Sequence, residues 1–189
     1  MRVFFTSDLH FGHKNVIRFD KRPFASVDEM DEELIKRWNA KVSEGDLVYV
    51  LGDLIWKSKN NDAPSLLKRL HGSIILIKGN HDRFLHNSAA KKSLAGLKDY
   101  DDIEVTTEDG IKRWCILSHY FIPFYNRNRY NAIHLHGHSH KTAESEEEVR
   151  IVNEMNAKGY NLRIYNVGCM YWGYAPVTLD EILNKTTEE

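Results

Sequence analysis

The feature that most restricts what this chain can fold into is a set of short polar stretches, each placed directly after an apolar, strand-like run. Five stretches follow this rule: Asp8-Leu9-His10, Gly52-Asp53, Gly79-Asn80-His81-Asp82, His119 and Gly137-His138-Ser139-His140. Open α/β sheets present their functional side chains at the carboxyl ends of their strands. The pattern therefore predicts a mixed α/β fold with these stretches at strand ends.

Apolar runs between turn-forming residues set the predicted strands. They span residues 2–6, 47–51, 74–77, 103–107, 111–117, 132–135 and 162–167. The runs at 47–51 and 74–77 are short and continuously apolar, which is typical of buried strands. Glu108-Asp109-Gly110 separates two of the runs and predicts a hairpin turn between them.

Helix signals lie between and after these strands. Ser26 and Glu29 form a capping box, and the apolar stripe behind them predicts a helix over residues 27–42. Pro64 suits the first turn of a second helix. Apolar residues at helical intervals indicate a third helix within residues 145–159, and Thr178 is expected to cap a short C-terminal helix.

Charge and cysteine content restrict the class of protein further. The 189 residues include 26 Lys and Arg against 27 Asp and Glu, so the formal net charge is −1. A dedicated nucleic-acid coat or clamp is strongly basic, and this class is therefore not favoured. Cys115 and Cys169 form no Cys-x-x-Cys pair, and no apolar run approaches the roughly 20 residues that span a bilayer. We expect a single domain over residues 1–189, in the cytoplasm and without a membrane partner.

The five stretches contain the ligands of a two-metal centre. Two cations at short separation need a shared anionic bridge, and Asp53 is the predicted bridge. Asp8, His10 and His140 are expected to complete one site. Asn80, His119 and His138 are expected to complete the other. Mixed nitrogen and oxygen donors suit Mn, Fe, Zn or Co better than Mg or Ca.

Such a centre favours a phosphate substrate. Two divalent cations outweigh the carboxylates of Asp8 and Asp53, so the pocket keeps a net positive charge that attracts a phosphoryl group. The same cations lower the pKa of a bridging water and produce a nucleophile near neutral pH. His81 is not needed as a ligand and is the predicted proton-transferring group. With Asp53 as the metal bridge, His81 and Asp53 are the predicted catalytic residues.

Ordinary structural roles, without any part in chemistry, also fit some of the histidine, aspartate and glycine residues. Packed or surface positions suit His71, His86 and His134. Asp82 fits a helix N-cap, and Gly79 and Gly137 fit ordinary turns.

The ordered set resembles the calcineurin-like metallophosphoesterase superfamily, whose pattern is Asp-x-His, Gly-Asp, Gly-Asn-His-Asp/Glu, His and Gly-His-x-His. The match spans residues 8–140, and the tail from Asn166-Val167-Gly168 to Pro176-Val177-Thr178-Leu179 is similar to small bacterial and phage members. The resemblance implies a four-layer α-β-β-α sandwich of two mixed β-sheets with a dimetal site at one edge. It implies the two ligand sets given above, with Asp53 in both. It further implies that metal-bound hydroxide attacks phosphorus in line while His81 protonates the leaving oxygen.

The second motif departs from that of the Ser/Thr phosphoprotein phosphatases, which continue it as Gly-Asp-x-x-Asp-Arg-Gly. Here it runs Gly52-Asp53-Leu54-Ile55-Trp56-Lys57-Ser58. Trp56 cannot orient an imidazole as a carboxylate does, and Lys57 lacks the bidentate fork of arginine. Protein dephosphorylation is therefore not favoured. From the length of the chain we also expect none of the added domains of recombination nucleases in this superfamily.

Substrate contacts are predicted at His13, Asn80, Arg127 and Arg129. His13 follows the first ligand pair and either faces the substrate phosphate or bonds to its own loop. Aromatic rings alternate with arginines between His119 and His138, a composition that suits base stacking or an ordinary packed loop. Trp56, Lys57 and Lys59 are candidates for another wall of the site.

These features predict a phosphodiesterase or phosphatase acting on a small phosphoester, with nucleotides among the candidates. A small metal-dependent nuclease is the first alternative. It would need nucleic acid as its partner, which the charge of the chain allows but does not favour. A non-catalytic scaffold on the same fold is the second alternative. The retention of His81 argues against the scaffold.

Overall fold

The structure is a computed structural model that describes residues 1–56 and 62–185. Lys57 and Lys59, predicted as part of a wall of the site, lie outside the described residues.

The strands of the described residues form two sheets. In chain order they are β1 Val3–Thr6, β2 Leu47–Leu51, β3 Ser73–Ile77, β4 Gly96–Lys98, β5 Asp101–Thr106, β6 Lys112–Leu117, β7 Ile133–His136, β8 Ile164–Asn166 and β9 Val177–Thr178. The first sheet has the order β4-β3-β2-β1-β9, and the second has the order β5-β6-β7-β8. In the first, only β9 runs antiparallel to its neighbour. In the second, β5 is antiparallel to β6 while β6, β7 and β8 are parallel. Both sheets are mixed, as predicted.

The helices of the described residues are α1 Lys14–Phe19, α2 Val27–Lys41, α3 Ala63–Lys68, α4 Ser88–Lys92, α5 Ala143–Ala157 and α6 Leu179–Lys185. The Ser26 hydroxyl accepts the Glu29 N–H and begins α2 where the capping box predicted it. Helix α5 begins two residues before the predicted range because Thr142 caps it, with its hydroxyl accepting the Glu144 N–H. Among these described helices none is both long enough and apolar enough to cross a membrane.

Alternation of side chains along the strands produces four layers. One cluster packs Phe4, Val48, Val50, Ile74 and Leu76 of the first sheet against Met30, Leu34, Ile35 and Trp38 of α2 and Leu67 of α3. The opposite face of that sheet supplies Phe5, Tyr49, Leu51 and Ile77, which pack on Val105, Cys115, Leu117, Ile133 and Leu135 of the second sheet. The outer face of the second sheet packs Ile116 and Ile164 against Val152 and Met155 of α5. The order helix, sheet, sheet, helix confirms the predicted α-β-β-α sandwich.

The parallel strands bring their carboxyl ends to one edge, where the two sheets meet. Asp8 N–H donates to the Gly52 carbonyl at 3.1 Å, which joins the ends of β1 and β2. Cys169 N–H donates to the Ser7 carbonyl at 2.9 Å and ties the first sheet to the segment after β8. This edge therefore collects polar loops from both sheets.

Candidate metal centre

Left-handed backbone conformations turn the ligand loops. Asp8, His10, Asp53, His138 and His140 have φ values of 57°, 54°, 54°, 72° and 50°. Side-chain-bearing residues rarely adopt this region, and each costs roughly 1 kcal/mol or more unless the surrounding structure holds it. Such residues gather at functional sites. Here they include five of the seven candidate ligands.

The first group of candidate ligands consists of Asp8, His10 and His140, with ligand atoms within 4.8 Å of one another. The Nε2 atoms of His10 and His140 lie 3.2 Å apart. His140 Nε2 is 3.5 Å from Asp8 Oδ1, and His10 Nε2 is 3.6 Å from Asp53 Oδ2. The structure thus brings together the three residues expected at the first site, and Asp53 Oδ2 lies next to His10.

The second group lies on the other side of Asp53. Asp53 Oδ2 is 3.7 Å from His119 Nε2, and His119 Nε2 is 2.9 Å from Asn80 Oδ1. The same Asn80 oxygen lies 3.1 Å from His138 Nδ1. Asp53 therefore stands between the two groups, where the predicted bridge belongs. Asp8 also lies within 4.8 Å of Asp53 and His119, a proximity that the sequence did not predict.

Glycines allow the loops to approach this closely. A Cβ atom on Gly79 would lie 2.2 Å from Asp53 Oδ1, and one on Gly137 would lie 2.4 Å from Asp8 Oδ2. A Cβ on Gly52 would lie 2.2 Å from His119 Nδ1. The alternative that Gly79 and Gly137 are only turn residues is therefore wrong, because both give room to candidate ligands.

Burial and charge perturb the groups of the first set. Burial, the largest effect, lowers the pKa of His10 to about 3 and keeps that ring neutral. Burial alone would also lower the pKa of His140, but the hydrogen bond to Asp20 and the negative charges of Asp8 and Asp20 outweigh it and raise the pKa to about 9. The pKa of Asp8 is lowered, since the attraction of His140 overcomes the opposing effect of burial. Asp8 is therefore a carboxylate and His10 a neutral imidazole, the forms that bind metals.

The donor set fits divalent transition-metal ions. Asp8 Oδ1, which faces His140 Nε2, is buried and lacks a hydrogen-bond partner among the described residues, a costly state for a polar atom. Imidazole nitrogens with carboxylate and amide oxygens are ligands of Mn, Fe, Zn and Co.

Asp82 supports the centre in a way that sequence reasoning missed. Its side chain makes no N-cap hydrogen bond to the short helical turn that follows it, so the N-cap alternative is wrong. Instead the carboxylate accepts N–H groups from Gly79 at 2.7 Å, Asp53 at 3.0 Å and Leu54 at 2.9 Å. Asp82 thereby joins the second and third motifs. The fourth position of the Gly-Asn-His-Asp motif was the available signal.

His81 lies beside the bridge residue. Its backbone N–H donates to Asp53 Oδ1 at 2.8 Å, and its ring centroid is 4.7 Å from that of Trp56. Trp56 stacks on His13 with centroids 4.0 Å apart and planes 9° apart. The Nδ1 atoms of His81 and His13 have no hydrogen-bond partner within the described chain. The rings of His13, Trp56 and His81 form one wall next to His10.

The two arginines predicted as substrate contacts lie on the second sheet and in the turn before β7. Arg127 lies over the Trp114 ring at 3.8 Å and pairs with Asp102 at 3.4 Å, so its guanidinium holds the surface of the second sheet. Arg129 is exposed in the short turn Asn128–Tyr130. Among the described residues no contact joins either arginine to a candidate ligand, and their predicted role in substrate binding stays a prediction. Tyr120, by contrast, touches the rings of both His119 and His138, with centroids 4.9 and 4.7 Å away.

Two of the histidines set aside as packing residues have structural contacts. His134 is fully buried, and its Nδ1 lies 3.0 Å from the Ile116 carbonyl. His71 Nδ1 lies 3.2 Å from the Val42 carbonyl. His86 ends the short helical turn Arg83–His86 and is exposed.

Fold and site together define a class of protein: a two-sheet sandwich that gathers metal-binding side chains at one sheet edge. A family model described as calcineurin-like phosphoesterase matches residues 1–163. The chain belongs to this family of metal-dependent hydrolases of phosphoesters, and the resemblance seen in the motifs is confirmed.

Individual proteins also resemble this chain, in sequence or in structure. The chain is 49% identical over 84 residues to an uncharacterized protein of Methanocaldococcus jannaschii, covering 44% of this chain and 48% of that protein. It is 37% identical over 82 residues to the Gene 66 protein of Mycobacterium phage L5, covering 42% and 39%. The matched segments span less than half the length of these relatives. A crystal structure of a protein of unknown function from Aquifex aeolicus has the same fold, with a TM-score of 0.69, 22% identity and coverage of 96% and 97%.

Proposed function

We propose that this protein is a dinuclear-metal-dependent hydrolase that cleaves phosphoester bonds in a small substrate, nucleotides included. The observation that carries the proposal is the position of Asp53 Oδ2 between the two ligand groups, 3.6 Å from His10 Nε2 and 3.7 Å from His119 Nε2. One carboxylate oxygen within reach of both groups is the arrangement that a pair of close cations requires.

The residues that would hold the ions are Asp8, His10, Asp53 and His140 on one side and Asp53, Asn80, His119 and His138 on the other. Bound there, two divalent ions supply Lewis-acid stabilisation of the phosphoryl charge and a lowered pKa for water. The ligands would be neutral imidazoles, an amide and only two carboxylates. Two bound divalent ions would therefore leave the site with a net positive charge, which favours a phosphoester.

His81 transfers the proton in this proposal. Its backbone is tied to Asp53, so the ring stands next to the ligand groups without joining either. In this position it gives a proton to the oxygen of the leaving group. General acid catalysis of this kind contributes about 10²–10⁴-fold to the rate.

Aromatic side chains on both sides support a substrate that carries a planar ring. Trp56 is 39% exposed beside His81, and Tyr120 is 48% exposed beside His119. We propose His13 and Asn80 as contacts of the substrate phosphate, because Asn80 belongs to the second ligand group and the His13 ring lies beside that of His10. The unpaired state of the buried Cys115 and Cys169 supports a cytoplasmic location.

Turnover of bis(p-nitrophenyl) phosphate and p-nitrophenyl phosphate by the Mn-loaded protein tests the proposal. We expect hydrolysis of at least one of these compounds. A protein that binds Mn and hydrolyses neither would refute the proposed reaction.

His81→Ala tests the role of the proton donor, with the exposed His86→Ala as the matched control. We expect His81→Ala to lose about 10²–10⁴-fold in turnover while binding both ions, and His86→Ala to behave as wild type. Loss of metal from His81→Ala would show that His81 is a ligand instead.

A small nuclease is the second candidate, and the exposed rings of Trp56 and Tyr120 favour it. Cleavage of single-stranded oligonucleotides that weakens steeply with added salt would select this function. Salt-independent hydrolysis confined to small esters would exclude it.

A further inference from the structure

Two buried charged residues next to the first ligand group have no role in the reaction described above. Asp20 follows α1, and Arg22 lies two residues further along the chain. Their side chains are only 4% and 0% exposed. A charge that is withdrawn from water to this extent needs partners of opposite charge or several hydrogen bonds.

The guanidinium of Arg22 donates hydrogen bonds to the first ligand loop. One terminal nitrogen donates to the Asp8 carbonyl at 2.8 Å, and the other donates to the Leu9 carbonyl at 2.9 Å. Nε and one terminal nitrogen also donate to Asp20 Oδ2, at 3.0 and 2.8 Å. The planar guanidinium therefore contacts both the left-handed turn at Asp8 and the carboxylate of Asp20, and holds the two in place together.

Asp20 in turn meets the last ligand of the group. Both carboxylate oxygens lie 2.8 Å from His140 Nδ1. A carboxylate only accepts hydrogen bonds, so Nδ1 must carry the proton. Once His140 gives up its second proton, the lone pair is on Nε2, the atom that faces His10 and Asp8.

We propose that Asp20, held in place by Arg22, is a positioning residue that selects the His140 tautomer with Nε2 as the metal-binding atom. Arg22 also couples this selection to the loop of Asp8 and His10, so three ligands from distant parts of the chain are set together. The charge of Arg22 cancels that of Asp20, and the site keeps its attraction for an anionic substrate. The inference depends on the proposed function only through the metal, and not through turnover.

Asp20→Asn is the test, because asparagine keeps the shape of the side chain and removes its charge. Partners of this type change metal affinity by about 10–100-fold, so we expect Asp20→Asn to bind Mn that much more weakly in calorimetric titration. Nitrogen-15 NMR of the His140 ring in the metal-free protein is expected to show loss of the single tautomer at high pH. The matched control is Asp109→Asn, which removes a carboxylate paired with Arg113 at 2.7 Å. Asp109 lies in the turn between β5 and β6, at the opposite end of β6 from His119.

The outcomes separate this inference from the proposed function. Wild-type Mn affinity and an unchanged His140 tautomer in folded Asp20→Asn would overturn it, as would an equal loss of affinity in Asp109→Asn. Two bound Mn ions with no hydrolysis would refute the reaction and leave the inference standing. A wild-type protein that takes up no Mn would overturn both. Should Asp20→Asn fail to fold, Asp20→Glu, which keeps the carboxylate, is expected to fold and to keep the single His140 tautomer, and a folded Asp20→Glu protein without that tautomer would overturn the inference.

Discussion

A single methyl group at Gly137 is expected to disable the metal centre. The Cβ of an alanine would lie 1.9 Å from Ser7 Oγ and 2.4 Å from Asp8 Oδ2, whereas real Cβ contacts essentially never fall below 3.0 Å. The shortfall is about 1.1 Å at Ser7 and about 0.6 Å at Asp8, so both residues must move. The movement separates the strand ends of the two sheets at the point where candidate ligands meet.

The cost of Gly137→Ala follows from these contacts. Overpacking of a buried site costs about 1–3 kcal/mol. The Asp8 carboxylate would also lose its hydrogen bond from His138 N–H, now 3.0 Å, and such bonds to charged groups contribute roughly 1.5–3 kcal/mol. The two effects share atoms and do not add fully, so we expect about 2–4 kcal/mol less stability.

Urea unfolding in the presence of a chelator measures the stability, and calorimetric titration with Mn measures the metal sites. Gly45→Ala is the matched control, because no atom lies within 4 Å of its added Cβ. We expect Gly45→Ala to bind Mn as wild type and to change stability by less than about 1 kcal/mol. A Gly137→Ala protein of wild-type stability that binds two ions normally would refute the reasoning.

Three further perturbations test other parts of the centre. The pKa of His140 is raised to about 9, so below that pH a bound ion must displace the proton of this ring. Mn affinity should therefore rise up to about tenfold per pH unit between roughly pH 6 and 8. A flat profile in calorimetry would contradict this. Asp82→Asn leaves one of three N–H donors poorly paired and should cost about 1–3 kcal/mol in urea unfolding, a loss that Asp99→Asn on the exposed surface should not reproduce. Trp56→Ala should raise KM for aromatic esters about threefold to tenfold and leave that for methyl esters unchanged, whereas equal changes for both would assign Trp56 to positioning His81.

Local sequence patterns were sufficient for the large elements. The strand over 47–51 was predicted to the residue, and the helix over 27–42 was one residue too long. These elements bury a continuous apolar run or stripe, which is a local property of the chain. The short elements α1, α4, β4 and β9 were not predicted, because two to six residues carry too little periodicity.

The residues that orient the ligands could not be found in this way. Asp20 contacts His140 across 120 positions, and nothing in its own neighbourhood distinguishes it from a surface aspartate. The contact between Arg127 and Trp114 could not be found from the sequence either, because the composition of that segment does not show which ring an arginine packs on. Contacts between distant segments depend on the three-dimensional path of the chain.

The sequence by itself determined the kinds of donor atom and their placement after strands, because hydrophobic periodicity and residue chemistry are both local. Only the tertiary structure decided which donors meet, since that depends on parallel strand ends sharing one edge and on glycines that let backbones touch. It also decided the forms the donors take. Burial keeps His10 neutral, and Arg22 and Asp20, both withdrawn from water, set the orientation of His140.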